Sequence, residues 1–142
     1  MQNKINEILT NIADTIREHS EIAQVSIEDS YQTDCYPAAR ITLEDVEFHQ
    51  PDDNCATKWA RLETRISVST SPGSEIEGTL RVAELCESLV EAFEDEPTRD
   101  GTCCDLPIGQ ATEIVKIKKN DTRQPETEFQ ITLRCHFETE VA

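Results

Sequence analysis

The chain has 142 residues, enough for one domain with one sizeable core and too few for a second. Only 37% of the residues are hydrophobic and 5% aromatic, so that core must be made of Ile, Leu, Val and Ala. A formal charge of −16, from 29 acidic and 13 basic residues, repels phosphate backbones and anionic lipid surfaces, which argues against direct sequence-specific nucleic-acid binding and membrane association.

At the N-terminus, Ile5, Ile8, Leu9, Ile12 and Ile16 recur at the three-and-four spacing of one helical face, predicting a helix from about Lys4 to His19. This amphipathic start is not a signal peptide, and apolar runs elsewhere fall far short of a membrane span, so a cytosolic protein is expected. Val25 and Ile27 alternate with polar neighbours in a short strand. Tyr31 to Tyr36, followed by Pro37, breaks the pattern.

Alternation returns at Ala39, Ile41 and Leu43, then slips phase at Val46 and Phe48, the mark of a bulge. His49 to Thr57, with Pro51, reads as a loop, and Ala60, Leu62, Thr64, Ile66 and Val68 form the returning strand of a long hairpin. Ser71-Pro72-Gly73-Ser74 is a breaker. Ile76, Leu80, Ala83, Val90 and Phe93, widened by Leu85, Cys86 and Leu89, then predict a second helix over roughly Glu75 to Glu94. Residues 75 to 100 hold nine acids against Arg81 and Arg99.

Glu94 to Gln110 has no period and contains Pro97, Leu106, Pro107 and Ile108. Loops of this length inside a domain are usually functional, so it is expected to be a contact surface. Thr112 to Lys119 reads as a strand and Asn120 to Glu126 as a turn. Phe129, Ile131, Leu133, Cys135 and Phe137 give the cleanest alternation in the chain. The expected fold class is therefore α+β: an antiparallel sheet built from two hairpins, with two helices packed on one face. Ile8, Ile12, Leu80, Val90, Ile66, Ile131 and Leu133 are the expected core.

No constellation for catalysis or cofactor binding emerges. The six cysteines have neither CxxC spacing nor a secretory context, so they are expected to be free thiols without metal. His19, His49 and His136 fall on a helix end, a loop and the presumed polar sheet face, with no cysteine assigned to any of them as a nucleophile. The four glycines form no phosphate-binding array. Catalytic, cofactor and metal residues are all expected to be absent, and the chain is not expected to be an enzyme.

In its order of elements the chain resembles the tail-terminator and tail-completion proteins of long-tailed bacteriophages and prophages. The likeness rests on the helix at Ile5 to Ile16, the long hairpin over Ala38 to Thr70, the breaker and helix over Ser71 to Phe93, the extended loop, and the last hairpin ending in Phe129-Gln-Ile-Thr-Leu-Arg-Cys-His-Phe137. The resemblance implies a ring, commonly hexameric, that caps the tail tube and meets tail-tube and head-completion proteins while DNA passes through its lumen. It implies host cytoplasm and virion as locations. An acidic DNA-mimic inhibitor and a general protein-interaction module are the competing readings. Subunit contacts are expected through the loops, at Pro51, Pro97, Leu106, Pro107 and Ile108, and at a basic spot made by Lys116, Lys118, Lys119 and Arg123. The acidic helix face is expected to lie away from those contacts.

Overall fold

Two helices and five strands follow in the order α1 (Gln2–His19), β1 (Gln24–Ile27), β2 (Ala38–His49), β3 (Lys58–Ser69), α2 (Glu75–Asp95), β4 (Thr112–Asn120) and β5 (Glu128–Thr139). The computed structural model describes residues 2–19, 21–27, 37–49, 58–69, 75–106, 109–120 and 128–139. The strands form one sheet in the order β1-β2-β3-β5-β4, with β1 and β4 as its terminal strands among the described residues.

Period-two patterning puts Ala60, Leu62, Ile66 and Val68 of β3 on the same sheet face as Ile131, Leu133, Cys135 and Phe137 of β5, and all eight are fully buried. Against that face lie Ile8, Leu9, Ile12, Ala13 and Ile16 of α1 and Val82, Leu85, Cys86, Leu89 and Phe93 of α2, in one contiguous core. Each fully buried Leu or Ile contributes about 1.5–3 kcal/mol of transfer free energy, so the aliphatic composition suffices without large aromatics. The opposite sheet face carries ion pairs such as Arg65–Glu44 and Arg134–Glu63.

The α+β class and both antiparallel pairs, β2 with β3 and β4 with β5, match the sequence reading. The residues joining each pair, 50–57 and 121–127, lie outside the described residues, and so do Pro51 and Arg123. Two expectations are corrected. The sheet is mixed, because β1 runs parallel to β2, with Val25 aligned to Ala39 and Ile27 to Ile41. Alternation assigns a strand's faces but not its direction, and both directions place Val25 and Ile27 on the same side of the sheet.

The second correction concerns α2. Leu80 is 61% exposed and Val90 only borders the core, while Val82, Leu85, Cys86, Leu89 and Phe93 are buried. At about 100° per residue Leu80 lies on the side opposite that stripe, so the helix has two apolar faces and the sheet takes only one. The expected slip in β2 occurs at a register shift between Leu43 and Asp45. A second shift, between Ile114 and Lys116, interrupts β4.

Candidate assembly interface

β4 is nine residues long and, among the described residues, pairs with β5 on one side only. Its register aligns Ile114 with Leu133 and Ile117 with Ile131, so both point to the helix side, whereas Lys116 and Lys118 align with Thr132 and Gln130 on the other face. The bulge leaves Val115 as the extra residue. Val115 is 42% exposed and Ile117 46%, well above an ordinary sheet position.

The exposure of Ile117 goes with a gap between α2 and β4. A groove of about 290 Å³ remains between them, walled by Ala83, Cys86 and Val90 from the helix and by Ile117 and Phe129 from the sheet. The exposed Glu87 and Glu91 complete the lining. The surface therefore combines a terminal strand, an apolar groove and three exposed lysines, Lys116, Lys118 and Lys119, on a chain of charge −16. Terminal strands of this kind accept another strand through main-chain hydrogen bonds while a groove takes alternate side chains.

Of the expected contact residues, the structure brings Lys116, Lys118 and Lys119 together on β4 and places Pro97 and Leu106 away from them, in the segment after α2. Pro97 is exposed and Leu106 half-buried; Pro107 and Ile108 lie outside the described residues. Sequence reading missed Val115, Ile117, Phe129 and the α2 wall of the groove. Their only signal was the loss of alternation in β4 and the second apolar face of α2.

The segment after α2 is held more tightly than its lack of period implied. Arg99, fully buried, has φ 48°, and Asp100 and Gly101 follow at 60° and 83°. Its guanidinium lies 5.0 Å from the centre of the Phe93 ring and donates from Nη2 to the carbonyls of Phe93 (2.9 Å) and Glu96. In this way the side chain satisfies carbonyls that α2 leaves open at its end. Burial lowers the Arg99 pKa from its ordinary value.

Beside it, Cys103 and Cys135 share a thiol–thiol hydrogen bond that pushes the Cys103 pKa up and the Cys135 pKa down, with burial working upward on both. Both are buried, and Cys86 and Cys104 are likewise free thiols. His136 adjoins Cys135 in sequence, but successive side chains in a strand point to opposite faces, so the imidazole is no base for that thiol. It lies on the polar face as expected, yet it is fully buried beneath residues 109–111, with Nδ1 donating to the Gln110 carbonyl.

The polar groove between α1 and the 99–102 turn holds about 670 Å³ and carries Glu7, Asp14 and Asp100; Thr102 donates to Glu7 at its margin. Among the described residues no group of three or more His, Cys, Asp or Glu is arranged to hold a metal ion, and no helix is long and apolar enough to cross a membrane.

No family model matches the chain, and no curated protein matches it. Among solved structures, a chain from the virion of a native gene transfer agent particle aligns with 93% of this chain and 92% of its own length, at 11% identity and a TM-score of 0.45.

Proposed function

We propose that this chain is a non-enzymatic structural protein that self-associates into a closed ring and serves the assembly of a phage-like virion, as a tail-terminator or tail-completion protein at the head-tail joint. The observation that carries the self-association is the β4 surface, where Val115 and Ile117 are exposed beside an apolar groove at the end of the sheet. The tail assignment draws on the order of helix, long strand pair, helix and closing strand pair along the sequence. Its partners are further copies of itself, tail-tube proteins and head-completion proteins. Its places are the host cytoplasm and the virion, and its negative charge suits a lumen through which DNA slides.

Sedimentation and negative-stain microscopy at high protein concentration, with and without purified tail tubes, test this reading. Rings, or density capping tube ends, are expected. A chain that stays monomeric and leaves tube ends bare refutes it. A monomer that instead competes with DNA for a DNA-binding enzyme would mark an acidic mimic.

A further inference from the structure

We infer that the β4 strand of one copy pairs antiparallel with the β1 strand of the next, so that the sheets join around the ring. This rests on the self-association proposed above and assigns it a surface, a partner strand and a direction. Ile27 is 36% exposed at one end of the sheet, and Val115 and Ile117 are 42% and 46% exposed at the other. Val25 and Ile27 align with the buried Ala39 and Ile41, and Ile117 aligns with the buried Ile131. Val25 and Ile27 of β1 and Ile117 of β4 therefore point to the helix side. A junction that continues the pleat sets Ile117 of one copy beside Val25 and Ile27 of the next.

The direction follows from the topology. β1 is parallel to β2, and three antiparallel steps, β2 to β3, β3 to β5 and β5 to β4, leave β4 running opposite to β1. Copies repeated head to tail in one orientation thus meet through an antiparallel ladder, the more stable of the two patterns.

Charge selects this junction over a two-fold one. Pairing β4 with β4 of another copy about Ile117 or Lys118 would set Lys116 opposite Lys118, or Lys118 opposite its own equivalent, and like charges facing across strands are destabilising. β1 has no charged residue, and the exposed Glu18 and Glu21 precede it, with Glu21 ion-paired to Arg81. Because β1 has four residues, the ladder is short, and assembly should depend on concentration or on a tube end that gathers the subunits.

Cross-linking with a short bismaleimide tests the junction, using Ser26→Cys and Lys118→Cys singly, mixed, and combined in one chain, with the parent chain treated identically as the baseline for native thiols. The two positions sit four strand spacings apart within one copy, roughly 19 Å, too far for an internal link. The combined variant should give a ladder of multimers and the mixed singles a dimer, while each single alone stays at baseline. Dimers from Lys118→Cys alone would establish the two-fold β4 contact and overturn the inference. Absence of cross-links from a combined variant that sediments as an assembly would overturn it while leaving the ring intact. A parent chain that is monomeric under every condition, tail tubes included, would sink both.

Discussion

Gly109→Ala isolates a contact that exists only in the folded chain. An added Cβ would stand 2.5 Å from Cε1 and 2.9 Å from Nε2 of His136, and 2.9 Å from Oε1 of Glu113. The carboxylate is the movable neighbour, although it accepts from the Gln110 amide at 3.2 Å. The imidazole is not movable: His136 is fully buried on a strand paired on both sides, with Nδ1 bonded to Gln110. Nor is the backbone of Gly109 loose, since it exchanges hydrogen bonds of 2.8 and 2.9 Å with Leu106. Overpacking of this kind costs about 1–3 kcal/mol. Loss of the glycine's freedom in the unfolded chain works the other way by about 0.4–1 kcal/mol, so the net destabilisation should be about 1–2 kcal/mol. For a chain of this length that lowers the melting temperature by roughly 3–8 °C. Urea denaturation should show a lower midpoint with an unchanged slope, and His136→Ala in the same chain should relieve the clash, giving a coupling of about 1 kcal/mol. An unchanged midpoint, or strict additivity of the two substitutions, would refute the reasoning.

Leu133→Ala, fully buried in the central strand β5, should cost about 2–5 kcal/mol, whereas Leu80→Ala on the exposed side of α2 should stay within about 0.5 kcal/mol of the parent in the same urea titration; equal effects would contradict the phase of α2. Burial pushes the Cys86 thiol up to about 12, from an ordinary value near 9. Between those values the unfolded chain releases a proton that the folded chain keeps, so stability should fall with rising pH across that window, by at most about 1.4 kcal/mol per unit. Urea midpoints from pH 7 to pH 10.5 should therefore decline less steeply for Cys86→Ala than for the parent. Lys116→Glu with Lys118→Glu should weaken self-association about tenfold or more at low salt without lowering the melting temperature by more than about 2 °C, and sedimentation in rising salt should narrow the difference from the parent. An effect that does not change with salt would place the lysines outside the contact.

The elements and their faces were legible along the chain because periodicity is local. Ile8, Ile12, Ile66, Ile131 and Leu133 each occupy an apolar phase that one helix or strand fixes by itself, and all five are fully buried. The same logic placed the acidic charge and the lysines of β4. It failed where two faces of one element were both apolar, since Leu80 and Leu89 have equal claims until the sheet selects one side of α2. Strand direction was also beyond local reach: the parallel pairing of β1 depends on where β2 passes, not on Val25 or Ile27. Arg99 looked like one cation in an acidic stretch and is instead the buried group that closes the end of α2, its guanidinium lying over the Phe93 ring at the start of a turn of three positive-φ residues. His136 looked like a residue of the polar face and is buried because Gly109, without a side chain, lets residues 109–111 lie against it. The candidate interface is likewise a product of tertiary structure. Ile117 and Phe129 fit a core strand in sequence, and only the gap left between α2 and the sheet makes them line an open groove.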